Sequence, residues 1–147
     1  MPYRYSILLV DDDPHLIELL NHAAQQVFPE ASFFQVTSAA EAIAYIETLE
    51  GYGPRLVLLD LNLSSADNGL HFLSFLRANE NTRFLPVVIL TVSNLYGDIE
   101  NSYALGVSAF TIKPTRLDEW VDYVRNLRNY WFDTVTLPAI VFNKNRR

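Results

Sequence analysis

Ile7-Leu8-Leu9-Val10 runs straight into Asp11-Asp12-Asp13, and the same pattern returns at Leu56-Val57-Leu58-Leu59-Asp60, Val87-Val88-Ile89-Leu90-Thr91 and Phe110-Thr111-Ile112-Lys113. Each is a short apolar run that stops at a polar group. The runs do not alternate apolar with polar residues, so they read as strands buried on both faces, the condition of a parallel sheet covered by helices. The polar groups that end them then share one sheet edge. In open α/β sheets, ligands sit just beyond the carboxyl ends of the strands, where strand order reverses. The spacing therefore places the chemistry of Asp11, Asp12, Asp60, Thr91 and Lys113 in one crevice and reads as an aspartyl-phosphate site.

Outward from these runs, strand and helix signals alternate five times. Strand one is expected from about Ser6 to Val10. The first helix opens near Pro14, since proline suits a first turn, and carries Leu16, Ile17, Leu20, Ala23, Ala24 and Val27 at helical spacing. Phe33 to Thr37 reads as strand two, and Ser38 with Glu41 three residues on is a capping-box signature. Gly51 and Gly53 stop that helix. The loop Ser64-Ser65-Ala66-Asp67-Asn68-Gly69 leads to a helix with Leu70, Leu73 and Leu76 on one side, and Pro86 introduces strand four. A less apolar helix, about Leu95 to Leu105, ends at Gly106, a residue suited to the left-handed helix-end conformation. The last helix, about Arg116 to Phe132, is long and amphipathic through Leu117, Trp120, Val121, Val124, Leu127 and Trp131. Right-handed crossovers between parallel strands give a doubly wound α/β sheet, most commonly in the order 2-1-3-4-5, which makes strands one and three neighbours.

The 147 residues, half of them apolar, fit one domain with a single sizeable core. No stretch approaches the roughly 18 apolar residues of a membrane span, and Met1-Pro2-Tyr3-Arg4-Tyr5 leads into a strand rather than a signal-peptide pattern, so a cytoplasmic protein without membrane contact is expected. With no cysteine, any chemistry uses oxygen and nitrogen groups. A formal charge of −6 argues against nucleic acid as a partner. The basic end Lys144-Asn145-Arg146-Arg147 reads as a solubilising terminus.

Two carboxylates about 5 Å apart repel by roughly 3 kcal/mol at an effective dielectric near 20, so three of them call for a cation. Oxygen-only ligands at a sheet mouth suit Mg²⁺, which keeps several waters and shares its shell with phosphate oxygens. Phosphoryl transfer asks the protein for positioning and charge neutralisation. Asp60 is the carboxylate nucleophile of such a site, with Mg²⁺ on Asp12 and Asp60, the Lys113 ammonium and the Thr91 hydroxyl around the phosphoryl group. No strong general base for water stands among these residues, so the acyl phosphate is expected to outlast a catalytic intermediate.

Val10-Asp11-Asp12, Leu59-Asp60-Leu61-Asn62, Ile89-Leu90-Thr91 and Ile112-Lys113-Pro114 resemble, in identity, order and spacing, the motifs of response-regulator receiver domains of two-component signalling, whose fold is flavodoxin-like. The similarity spans residues 5 to about 131. It implies a phosphoprotein in which Asp60 accepts a phosphoryl group from a histidine kinase. Asp12, Asp60 and the Asn62 carbonyl would bind Mg²⁺ directly and Asp11 through water. Thr91 and Lys113 would read the phosphate, Phe110 would be the switch aromatic, and Lys113-Pro114 would be a cis peptide. Two features depart from the family pattern. Ser64 replaces a usual proline and Gly69 comes one residue late, giving a longer loop after Asp60. Val92 is bulkier than the small residue often found after the threonine, restricting the swing of Phe110.

Simpler readings compete. Asp13 reads as an N-cap for the first helix rather than a metal ligand, and His15, His22 and His71 as surface residues. Phe110 is either switch or plain core, and Trp120, Tyr123, Tyr130 and Trp131 either pack on the sheet or face a partner. The division expected is a receiver over residues 1–131 and an extension over 132–147. The stretch from Tyr130 to Pro138 is too hydrophobic to remain unpacked. It resembles the extension of single-domain regulators paired with bacterial phytochromes, which implies a homodimer through the last helix and tail and a bacteriophytochrome-type kinase; alternatively the tail folds back over its own domain. The expected function is a stand-alone phosphoryl acceptor that signals through a partner and is not an enzyme. A haloacid-dehalogenase-type phosphatase would use similar groups, but there the nucleophile follows the first strand and the acid pair comes last. A dimeric scaffold that is never phosphorylated is the third reading.

Overall fold

The structure, a computed structural model, describes residues 5–63 and 68–144. Its strands are β1 (Tyr5–Val10), β2 (Ala31–Val36), β3 (Leu56–Leu59), β4 (Val87–Thr91) and β5 (Ala109–Ile112). The helices are α1 (Leu16–Val27), α2 (Ala39–Thr48), α3 (Gly69–Ala78), α4 (Tyr96–Ala104) and α5 (Leu117–Leu127). The strands form one parallel sheet in the order β2-β1-β3-β4-β5, as expected. Successive side chains of a strand point to opposite faces, and the two core layers follow that alternation. Leu8, Val10, Val57, Leu59 and Ile89 pack with Ile46 of α2 and Phe72 and Leu76 of α3. Ile7, Leu9, Leu56, Leu58, Val88 and Leu90 pack with Leu20 of α1 and Trp120 and Val124 of α5.

Local chemistry sets the element ends. Ser38 Oγ accepts the Glu41 N–H at 3.0 Å, while Glu41 Oε1 reaches past the cap to accept from Thr37 N at 2.8 Å and Thr37 Oγ1 at 2.9 Å. Those bonds hold the Glu41 carboxyl below its ordinary range. Gly106 ends α4 at φ +96°, where a side chain would press on Arg77.

Three expectations are corrected. The second strand starts at Ala31 rather than Phe33, because backbone pairing with Tyr5 and Ser6 continues through Ala31 and Ser32 whatever their side chains. The last helix does not run on as a single α-helix. After Leu127 it widens into a π-helical segment, Arg128–Thr134, closed by the Val135 N–H on Tyr130 O at 2.8 Å. That turn sets the Phe132 ring 4.6 Å from Tyr5 and 5.4 Å from Phe28, centroid to centroid. Finally, Lys113–Pro114 is trans, and no cis peptide occurs among the described residues. Trans is the lower-energy isomer even before proline, and the Lys113 ammonium reaches its partners with this bond trans. The expectation of a longer loop at Ser64 falls on residues 64–67, outside the described residues.

The tail returns to its own domain. The Phe142 N–H donates to Gly51 O at 2.7 Å and Gly51 N–H to Phe142 O at 2.8 Å, and the Phe142 ring is buried in the α2/α3 core layer. Asn81 Nδ2 donates to Asn143 O at 3.2 Å, and Lys144 N to Glu50 Oε2 at 2.7 Å. Of the sequence-level readings of the aromatic helix, Trp120 is buried against the sheet and Tyr130 is exposed.

Candidate functional site

Asp11 and Asp12 follow β1, Asp60 follows the central strand β3, Thr91 closes β4 and Lys113 follows β5. With β1 and β3 paired in register, one carboxylate oxygen from each of Asp11, Asp12 and Asp60 falls within 4.8 Å of the others. Asp11 and Asp60 are buried, 1% and 5% exposed, and Asp12 stands closer to solvent.

Both carboxylate oxygens of Asp60 are engaged. Oδ1 accepts from Thr91 Oγ1 at 2.8 Å and from the Asn62 N–H at 3.1 Å, and Oδ2 accepts from Lys113 Nζ at 3.1 Å. Lys113 Nζ also lies 2.7 Å from Asp11 Oδ2, so one ammonium spans two carboxylates. Burial alone would lower the Lys113 pKa, but contact with Asp11 and Asp60 outweighs it and the ammonium is held above its ordinary range. The Asp11 pKa is raised too, which for a carboxylate disfavours the charged form. Burial raises its pKa and the nearby Asp60 charge adds to that, more than Lys113 and the Asp13 N–H can offset.

Asp13 stands outside the cluster and is not the N-cap expected of it: α1 begins at Leu16 with His15 at the cap position and no side-chain cap bond, and Asp13 Oδ1 instead accepts from the His15 N–H at 2.9 Å in the turn ahead of the helix. His15, His22 and His71 are exposed. Phe110 is half-buried against the α2/α3 core layer and Val92 is exposed. Asn62 is exposed at the loop mouth, and its N–H reaches the Asp60 carboxylate.

Two contacts were not part of the sequence reading. Gly69 opens α3 against the end of the central strand: a Cβ there would stand 2.1 Å from Asp60 O. Gln35 of β2 donates through Nε2 to both Asp11 O and Asp13 O at 2.7 Å. A polar residue following Phe33-Phe34 within the strand was the only signal for it.

The family model described as response regulator receiver domain matches residues 7–125. The chain belongs to this family. Among relatives, response regulator Rcp1 of Synechocystis sp. is 31% identical over 137 residues, 90% of this chain and 92% of Rcp1. The probable methanogenesis regulatory protein FilR2 of Methanothrix harundinacea is 32% identical, with 86% and 83% covered. Among solved structures, the phosphorylated cyanobacterial phytochrome response regulator RcpA superposes with a TM-score of 0.82 at 29% identity, over 92% of this chain and 99% of that one. The Mn²⁺-bound form of Rcp1 gives 0.79 at 29% identity, with the same shares covered.

The receiver's acidic pocket fits a divalent cation on its own terms. Its donors are all oxygens, which hard ions prefer. Asp11 Oδ2 is buried with the Lys113 ammonium 2.7 Å away as its partner, and the same ammonium serves Asp60, so one cation faces a cluster of three carboxylates whose mutual repulsion favours a second. Asp11, Asp12 and Asp60 could hold the ion. The family match also sets aside the phosphatase reading: a receiver is a signalling domain.

Proposed function

We propose that this receiver accepts a phosphoryl group on Asp60 from the phosphohistidine of a histidine kinase and signals by docking on a partner while phosphorylated. An Asp60 carboxylate oxygen forms the new bond to phosphorus, and the P–N bond of the donor breaks with its electron pair passing to the imidazole. The observation that carries this is the enclosure of Asp60 at the mouth of the central strand by Thr91, Lys113 and the Asn62 N–H. Those donors are charged or polar groups that can turn from the carboxylate to incoming phosphoryl oxygens, where transition-state charge spreads. Asp12, Asp60 and the Asn62 carbonyl would hold Mg²⁺, with Asp11 behind, and the ion would neutralise charge on the transferring group.

Phosphorylation changes charge at a packed site, and such a change can bias a two-state element; Thr91 and the half-buried Phe110 would be the coupled elements. Phytochrome-linked names among the neighbours support a bacteriophytochrome-type kinase as donor. We place the receiver body at residues 1–131 and an extension at 132–147, with a second copy as partner for exposed Leu117, Tyr130 and Val141, in the cytoplasm.

Incubation with acetyl phosphate and Mg²⁺ followed by intact mass measurement tests the chemistry. One added phosphoryl group is expected, lost with a chelator and absent from Asp60→Asn. An adduct that survives Asp60→Asn, or steady release of inorganic phosphate without adduct, would overturn the proposal.

A further inference from the structure

We propose that Gln35 is a positioning residue for the cation site, acting through the backbone that carries Asp12; this rests on the cation-dependent phosphoryl transfer proposed above. The β1–β2 ladder ends at Val10 and Val36, with one further bond from Asp11 N to Val36 O at 3.0 Å. Beyond it the chain leaves the sheet carrying three consecutive acids. Gln35, paired with Leu9 in the ladder, sends its amide past that end. Both N–H groups of the one nitrogen are spent on the carbonyls of Asp11 and Asp13, each at 2.7 Å. Asp12 lies between the two clamped carbonyls. Asp11 and Asp13 carry further ties, Asp13 N to Asp11 Oδ1 at 2.8 Å and His15 N to Asp13 Oδ1 at 2.9 Å, so the loop is fixed at several points while the Asp12 carboxylate faces the pocket.

The residue type matters. The clamp needs two donors in a plane and no charge. A lysine or arginine would add a cation beside the acidic triad and compete with a bound ion, and a carboxylate could not donate. Asparagine is one methylene too short to make the same reach. Glutamine supplies both donors at no electrostatic cost to the triad, and groups that orient metal ligands commonly govern affinity by about 10–100-fold.

Mn²⁺ binding, read by loss of the free-ion electron paramagnetic resonance signal, tests this on the full chain. Gln35→Met keeps the side-chain length and removes both donors; its Mn²⁺ dissociation constant should rise on the order of tenfold. In acetyl phosphate reactions the half-saturating Mg²⁺ concentration should rise by more than the maximal rate falls. Asp12→Asn weakens binding itself, and Gln35→Met should add little in that background, the non-additivity of residues acting as a unit. Gln35→Ala is measured beside Gln35→Met, each below its own melting temperature by circular dichroism. Unchanged Mn²⁺ affinity in both variants, or a loss that adds fully to that of Asp12→Asn, would overturn the inference, and so would loss of the folded state in both. A wild-type chain that binds no Mn²⁺ would overturn the proposed function itself.

Discussion

A methyl group on Gly69 would stand 2.1 Å from the Asp60 carbonyl oxygen, closer than any packed atom can sit. The neighbour is backbone at the end of the central strand, so relief requires α3 to move off the sheet or β3 to shift. Gly69→Ala should therefore cost about 1–3 kcal/mol, the range of overpacked sites, read as a lower urea midpoint, and should slow acetyl phosphate labelling of Asp60. Gly97 in α4 has open space at its Cβ, so Gly97→Ala is the control and should hold or raise the midpoint. Equal midpoints for the two variants would sink the steric account. The contrast explains what the sequence could disclose at this scale. Asp11, Asp12, Asp60, Thr91 and Lys113 were legible because each ends an apolar run, so linear order alone assigns them to one sheet edge. Gly69 meets Asp60, 9 positions away, and Gln35 meets Asp11, 24 positions away, and no local pattern encodes such contacts.

Among elements, the central strands were the easiest to read. β3 and β4 are buried at every position, so their runs stay apolar up to Thr91, the site residue that closes β4. β2 lies at the sheet edge and alternates in exposure, which blurred its start. The end of α5 was ambiguous for a different reason: apolar spacing of three or four residues cannot separate an α-turn from the wider turn that follows Leu127. How α5 sits on the sheet gives a pH prediction. The Tyr123 hydroxyl and Thr111 Oγ1 share a hydrogen bond at 2.8 Å, and Thr111 Oγ1 bonds Ile89 O at 2.5 Å, linking α5 to β5 and β4. Burial pushes the Tyr123 pKa well above its ordinary value, more than the Thr111 bond can offset. The folded chain thus holds this proton more tightly than the unfolded one. Its stabilising contribution is complete below the unfolded tyrosine value of about 10 and is lost as pH rises through the folded value. Tyrosinate absorbance should show one residue titrating late, together with the loss of helical circular dichroism. In Tyr123→Phe that late step should vanish; its persistence would assign it to another tyrosine.

At the scale of the whole molecule, the tail decides whether residues 135–144 belong to the fold or merely follow it. The extended segment after Val135 could in principle pack anywhere, but its one deeply buried side chain, Phe142 at 2% exposure, fills space that small residues leave open. A Cβ on Gly53 would fall 2.7 Å from the Phe142 ring, so glycine at 53 and phenylalanine at 142 fit one another. Paired backbone bonds to Gly51 fix the ring's register, and the α2–β3 connection and the α2/α3 core layer are closed by the same contact. Phe142→Ala should then behave as a core truncation, costing about 3–5 kcal/mol, a large share of the roughly 5–15 kcal/mol that holds a domain together. Chemical denaturation followed by circular dichroism measures it. Val141→Ala, one residue earlier and exposed, should change the midpoint little. The pocket lies at the carboxyl ends of the strands, away from this contact, so folded Phe142→Ala should still take a phosphoryl group on Asp60. A midpoint indifferent to Phe142→Ala would mean that the ring is not buried in the chain's own core in solution.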